Sequence, residues 1–176
     1  MPLPIAHGLL GASIVAALHP PTKNYALAVA AGGVLAVAAD FDFLLVFSLD
    51  SDLWHRGFTH SIVFGLLVIL LFTFSLSRDR FREAIAFGLA FLSHGILDFA
   101  NSKRSGGVEL LWPFSDERYV LGWWGLSEVP SQMQALDLVM ALALEFVIFA
   151  PLFLLILMLR RSTVAYVLKR SLDGEW

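Results

Sequence analysis

The fold of this chain is decided by an apolar run at residues 135–159, ALDLVMALALEFVIFAPLFLLILML. The run is longer than the roughly 20 residues that a helix needs to cross a bilayer. Its only charged side chains are Asp137 and Glu145. The run therefore predicts a transmembrane helix.

The rest of the chain has the same apolar character. Its 176 residues are 58% hydrophobic and 15% charged, whereas a water-soluble domain has roughly 25% charged residues. Further apolar runs predict four more spans, at about residues 5–18, 25–49, 58–77 and 82–99. We predict an all-α integral membrane bundle of about five transmembrane helices. Residues 1–160 form this single bundle, with an outer aromatic-rich loop at 100–134 and a cytoplasmic tail at 161–176.

The basic residues predict the orientation of the bundle. Eight fall on one side of the predicted spans: Lys23, Arg78, Arg80, Arg82, Arg160, Arg161, Lys169 and Arg170. Four fall on the other: Arg56, Lys103, Arg104 and Arg118. Because basic loops stay in the cytoplasm, we expect the N-terminus outside and the C-terminus inside. The outer loop then carries an aromatic interface belt of Trp112, Phe114, Tyr119, Trp123 and Trp124.

Composition also limits the function. The net charge of -3 is small and scattered, so we expect no nucleic-acid partner. The chain has no cysteine, which excludes disulfides and thiolate metal sites. Any metal must be held by histidine, carboxylates and water.

Ionisable side chains recur within the predicted spans, where each needs a partner or a function. They are His7, Asp40, Asp42, His60, His94, Asp98 and Glu145, with His55 just before the third span. A helix rises 1.5 Å per residue. Six of these residues therefore lie at roughly 16 to 26 Å from the cytoplasmic end of their span: His7, Asp40, His60, His94, Asp98 and Glu145. We therefore predict one shared layer toward the outer face.

The spacing within two pairs of residues indicates which side chains can face the site together. His94 and Asp98 are four residues apart, so one helix face presents both to a single site. Asp40 and Asp42 are about 200° apart around a regular helix. Both can point inward only if the helix is locally unwound, and otherwise one of them supports the site from behind the ligands.

The segment from His55 to Ser61, HRGFTHS, predicts a turn at the head of the third span. Gly57 permits a tight bend, and Thr59 is a candidate cap for the helix that follows. The two histidines can then converge across the turn. Arg56 would lie beside the site, where a guanidinium suits a phosphate or carboxylate of the substrate.

Each residue taken alone has a simpler interpretation. His94 can be a hydrogen-bonded packing residue, His7 an interfacial histidine, and Glu145 either a paired structural carboxylate or a general base. Exposure to water explains Asp137, and we interpret three further residues as loop residues outside the site: His19, Asp50 and Asp52. Several histidines and carboxylates at one depth nevertheless favour a common metal, because binding one is the least costly way to satisfy ionisable groups inside a membrane.

These motifs resemble the YdjM and YbcI family of inner-membrane proteins. The likeness covers nearly the whole chain: His7 with the glycines after it, Asp40-x-Asp42, the HRGFTHS segment, His94-Gly95-x-Leu97-Asp98, and residues 106–115 ending in WPFS. Ala39 stands where the family pattern leads us to expect proline. The resemblance implies a prokaryotic cytoplasmic-membrane hydrolase that depends on a metal.

The expected mechanism is metal-assisted hydrolysis with its site toward the non-cytoplasmic side. One or two zinc ions, or manganese or iron, would be held by His7, Asp40, His55, His60, His94 and Asp98. Glu145 or Asp42 would accept the proton from a metal-activated water, and Arg56 would hold a phosphate. We expect a lipid substrate at the outer leaflet, with a phosphoester favoured although the residues do not separate it from an amide. The alternatives are a metal-ion transporter and a membrane assembly protein with a structural metal site; the oligomeric state is left open.

Overall fold

The computed structural model describes residues 2–51, 54–101, 106–123 and 135–175. Each predicted span is helical. The α-helices are α1 (Pro4–Leu18), α2 (Tyr25–Val37), α3 (Phe43–Leu49), α4 (Ile62–Ser75), α5 (Phe81–Asn101), α6 (Ala135–Leu159) and α7 (Arg161–Leu172). Short 3₁₀ segments at Ala38–Asp42, Phe58–His60 and Arg78–Arg80 connect them.

Three helical segments are long and apolar enough to cross a membrane. They are Tyr25–Leu49, Arg78–Asn101 and Ala135–Leu159, while α1 and α4 are apolar but shorter. Large apolar side chains on α6 are exposed, including Val147 at 67% and Leu159 at 74%, as expected of a surface that faces lipid. The all-helical membrane fold is confirmed, and the orientation of the bundle stays a prediction.

Small residues bring α1 and α2 into direct contact. A Cβ added at Gly11 would lie 2.4 Å from the carbonyl oxygen of Gly32, so any larger side chain would push the two helices apart. Next to this contact, α5 packs against α1 and α2. Val15, Ala86 and Ala90 are completely buried there. The close packing holds α1, α2 and α5 at fixed depths relative to one another.

The second span is irregular where the two aspartates fall. Residues Ala38–Asp42 tighten into a 3₁₀ segment between α2 and α3. The angle between Asp40 and Asp42, measured the shorter way, falls from about 160° in an α-helix to about 120° in a 3₁₀ helix. The helix is irregular here as expected, but the predicted unwinding is wrong in direction, because the segment is wound more tightly than an α-helix.

The prediction for the start of α4 is wrong in one detail. Ser61, and not Thr59, caps this helix, because the Ser61 hydroxyl accepts a hydrogen bond from the Phe64 amide at 3.0 Å. The positive φ of the turn belongs to Arg56, at 60°, and not to Gly57. The side chain of Thr59 is thereby left for the site.

The outer loop is tied to this turn by backbone hydrogen bonds. In the described part, 106–123, Val108 pairs with Tyr119 in one antiparallel bridge. Glu109 donates to the carbonyl of Arg56 at 3.1 Å, and Ile62 donates to the carbonyl of Leu110 at 3.0 Å. At the other end of the bundle, the predicted tail forms α7, whose Val167 joins the core of α1 and α2.

Candidate metal centre

Four parts of the chain bring their ionisable side chains to one place. His7 comes from α1, Asp40 and Asp42 from the 3₁₀ segment, His94 and Asp98 from α5, and the rest from the turn before α4. Among the described residues, three groups of ligand atoms each lie within 4.8 Å of one another. The groups are His7, His94 and Asp98; Asp40, His60 and His94; and Asp40, Asp42 and His55.

The donor atoms are spaced as a metal requires. Asp40 Oδ1 lies 3.2 Å from His94 Nε2 and 3.5 Å from His60 Nε2. Asp98 places Oδ1 3.4 Å from His7 Nε2 and Oδ2 3.7 Å from His60 Nε2. Two donors on one tetrahedral zinc ion with bonds of about 2.0–2.2 Å are about 3.3–3.6 Å apart. The observed separations fall close to this range.

Hydrogen bonds fix which nitrogen of two histidines faces the centre. His94 Nδ1 donates to the backbone carbonyl of Ala36 at 2.6 Å. His60 Nδ1 donates to the Thr59 hydroxyl at 2.9 Å, and that hydroxyl donates in turn to Asp42 Oδ2 at 3.1 Å. Each ring therefore turns the lone pair of Nε2 inward, as metal-binding histidines do when an outer partner holds their other nitrogen.

The inward-facing atoms have no hydrogen-bond partner within the described part of the chain. They are the Nε2 atoms of His7, His60 and His94, Oδ1 of Asp40 and both oxygens of Asp98. The three histidines are 0–1% exposed and Asp98 is 0% exposed. Leaving so many buried polar atoms unpaired is costly, and bound divalent cations would satisfy them. The donor set therefore fits a divalent metal.

Asp42 has a different set of contacts from Asp40. Its carboxylate accepts hydrogen bonds from the Arg56 amide at 2.8 Å, from Thr59 at 3.1 Å and from His55 Nδ1 at 3.0 Å. These bonds hold the turn before α4 against the 3₁₀ segment. The geometry favours Asp42 as the residue that positions the histidines, which was the second alternative drawn from the helical angle.

Arg56 lies at the centre as expected. It is 4% exposed, and its Nε is 3.6 Å from Asp98 Oδ2. The guanidinium is therefore paired with a carboxylate that also faces two histidines. Its predicted contact with a substrate phosphate stays a prediction.

Glu145 has a structural contact that the sequence did not reveal. Its two carboxylate oxygens accept hydrogen bonds from the backbone amides of Leu3 and Ala6, at the beginning of α1. A helix leaves its first amides without partners, and an anion there also interacts favourably with the helix dipole. The described ligand groups do not include Glu145. Its contacts support the paired structural carboxylate, and its role as a proton acceptor stays a prediction.

His19 lies just after α1 and outside the ligand groups, as predicted, but it is buried and has a partner that we did not expect. It ends α1 and is 2% exposed, and its Nε2 lies 3.6 Å from Oε2 of Glu83, which is 5% exposed. Sequence reasoning missed this pair because the two residues are far apart in the chain and no motif connects them. Asp50 and Asp137 are exposed as predicted, and Asp52 lies outside the described residues.

The fold and the centre together define a helical membrane protein with a buried histidine and aspartate donor set. Comparison with known proteins agrees with this class. The model of the YdjM inner membrane protein family matches residues 1–169, and the chain belongs to this family, which places it in the inner membrane. The inner membrane protein YbcI of Escherichia coli (strain K12) is 34% identical over 137 residues, which cover 73% of each chain. No solved structure is significantly similar to the chain.

Proposed function

We propose that this protein is a metal-dependent hydrolase that acts on a lipid phosphoester at the outer leaflet. One observation carries the proposal: three buried histidines and two aspartates direct donor atoms without hydrogen-bond partners, within the described chain, at a common centre. A divalent cation held there supplies Lewis-acid chemistry, since it polarises a phosphoryl group and lowers the pKa of water. His7, Asp40, His60, His94 and Asp98 would hold it.

The arrangement of the rings supports two ions. The rings of His7 and His94 are stacked, with centroids 3.7 Å apart and planes inclined by 13°. The lone pair of an imidazole nitrogen lies in the plane of its ring, so one ion cannot lie in both planes. Asp98 directs one oxygen to His7 and the other to His60, as a carboxylate shared by two ions does. We therefore expect two metal ions per chain.

The substrate class follows from depth and charge. The donors belong to helices of the membrane bundle, so the scissile group must come from a molecule that reaches the membrane interface. Arg56 is a cationic side chain beside Asp98, and its planar fork suits a phosphate. Hydrolysis of a phosphoester in a lipid head group combines both features.

A transporter requires a polar path between the two faces of the membrane. The His19 and Glu83 pair lies at the other end of α1, and a path from it would have to pass the layer between α1 and α5. Val15, Ala16, Ala86 and Ala90 in that layer are completely buried and apolar. This packing favours an enzyme over a transporter.

The test is elemental analysis of the purified protein together with activity on a panel of lipids. We expect about two zinc, manganese or iron ions per chain, and release of a head group or phosphate that EDTA abolishes. His60→Ala and His94→Ala should lose metal and activity, whereas His19→Ala changes the one histidine outside the centre and should keep its metal. A structural metal site would retain metal and hydrolyse no lipid. Protein without stoichiometric metal would contradict the proposal.

A further inference from the structure

A small cavity lies beside the turn that carries His55 and His60. It has a volume of about 180 Å³ and is lined by Trp54, Gly57, Phe58, Glu109 and Trp112. We call it the aromatic box. Its members come from both sides of the backbone hydrogen bond between Glu109 and Arg56, so the same contact that fixes the outer loop also closes this cavity.

Three rings form the walls of the aromatic box. The Trp54 and Phe58 rings are nearly perpendicular, at 85° with centroids 6.5 Å apart. The Phe58 and Trp112 rings are inclined by 52° with centroids 5.7 Å apart. Such edge-to-face and tilted contacts are ordinary aromatic packing, and they hold the three rings in place along the cavity. With Gly57 contributing no side chain, the space has room for a small organic group.

The fourth wall of the box is acidic. Glu109 lines the cavity and is partly buried, with its side chain 16% exposed. Its Oε1 is 3.6 Å from Nη2 of Arg118, which holds the carboxylate beside the rings without covering the cavity, since Arg118 is not among the lining residues. A carboxylate with several aromatic faces is the arrangement that recognises an ammonium group, because ring quadrupoles and the anion both attract the cation.

Interface anchoring does not account for this arrangement. Anchoring aromatic residues direct their rings toward the lipid, as Phe114 and Trp123 do with 85% and 68% of their surface exposed. Trp112 is only partly exposed, and its ring is turned toward Phe58. A carboxylate within an anchoring cluster would also oppose burial in the membrane.

We propose that the aromatic box binds the ammonium group of a lipid head group, quaternary or primary. The proposal rests on the proposed function, and it names the substrate class of that site as a phospholipid with a cationic head group. Phe58 is two residues from His60, so their Cα atoms are at most about 7.6 Å apart. Gly57 of the box follows Arg56 directly. A head group in the box therefore keeps its phosphate near Arg56 and the metal centre.

The test measures cation binding to the full chain, as purified in detergent micelles, by titration calorimetry. The probes are tetramethylammonium, choline and ethanolamine, and the matched neutral probe is 3,3-dimethylbutan-1-ol, which has the shape of choline without its charge. We expect choline or ethanolamine to bind at least tenfold more tightly than the neutral alcohol. The order of choline and ethanolamine identifies the head group, and binding of either supports the proposal.

Variants locate the binding to the box. Trp112→Leu and Glu109→Gln should each weaken cation binding about tenfold, while Phe114→Ala, in the same loop but with an exposed ring, should leave it unchanged. If Glu109→Gln fails to fold because the ion pair with Arg118 is lost, Trp112→Leu and Phe58→Leu still test the box. Equal affinity for the neutral alcohol, or full binding by Trp112→Leu, would overturn the proposal. Because none of the probes contains a phosphoester, loss of cation binding and absence of hydrolysis are separate results.

Discussion

Replacement of Gly95 by alanine should separate α5 from the turn that carries His60. A Cβ at Gly95 would lie 2.1 Å from the carbonyl oxygen and 2.9 Å from the carbonyl carbon of His60. Both are backbone atoms, so no side-chain rotation relieves the contact. Reaching even 3.0 Å from the oxygen requires a movement of about 0.9 Å, and overpacking of this kind costs about 1–3 kcal/mol.

The same movement should damage the metal centre. His94 precedes Gly95, and its Nε2 shares Asp40 with His60, at 3.2 and 3.5 Å. Metal sites tolerate errors of about 0.2 Å in their distances, which is several times smaller than the required movement. We expect metal affinity to fall about 10–100-fold, as for the loss of an outer partner of a ligand.

Gly8→Ala is the matched control for this experiment. Gly8 also follows a metal-site histidine, but a Cβ there would meet its nearest atom, the carbonyl oxygen of Gly33, at 3.8 Å, an ordinary contact. Metal content by elemental analysis and thermal unfolding in detergent should distinguish the two variants. Gly8→Ala should match the wild type or be more stable by about 0.5–1 kcal/mol. Normal metal content in Gly95→Ala, or equal loss in both variants, would refute the assigned packing.

Four further predictions concern single contacts. Glu145→Ala should destabilise the protein in thermal unfolding by about 1–3 kcal/mol for each α1 amide left without a partner, and Glu145→Gln should restore part of this stability. Lost activity at unchanged stability would instead indicate that Glu145 is a general base. Thr59→Val should weaken metal binding about 10–100-fold without changing the fold seen by circular dichroism, since it removes the hydroxyl between His60 and Asp42. Burial and, to a lesser extent, Asp116 raise the pKa of Glu109, against the effect of Arg118. Protonation removes the negative charge, so cation binding to the aromatic box should weaken as the pH falls through this raised pKa. A cation affinity that calorimetry finds independent of pH would contradict the role of Glu109 in the box. A phosphatase reporter fused after Trp176 should be inactive and a cytoplasmic fluorescent reporter active, and the reverse would invert the bundle.

The helices and the position of the centre follow from local patterns. Apolar runs predict the spans because lipid requires them. The spacing of Asp40 and Asp42 predicts an irregular helix because a regular helix cannot turn both residues inward, but the helix there is tightened and not unwound as predicted. The cap of α4 was assigned to the wrong hydroxyl because both Thr59 and Ser61 are good capping residues. Only the approach of Asp42, from another helix, decides that Thr59 turns to the centre and Ser61 caps.

The contacts that were missed are long-range in sequence. His19 looks like a loop histidine because two prolines follow it, and its burial depends on Glu83, on a helix that begins far along the chain. Glu145 looks like a catalytic carboxylate because it lies in an apolar span. The amides that it binds belong to no motif, since every helix begins with amides that need a partner.

The contact between Glu145 and α1 also has a consequence for biosynthesis. The acceptor and the amide of Leu3 are separated by 142 positions in the chain, and the other amide it binds, that of Ala6, directly precedes His7. The ribosome therefore releases the first helix long before the residue that completes its first turn has been made. A chain that stops before α6 contains all the proposed metal donors, yet the amides of Leu3 and Ala6 at the start of the helix that carries His7 lack the Glu145 carboxylate. The beginning of the first helix therefore gains this partner only after the last span has been made and has packed against it.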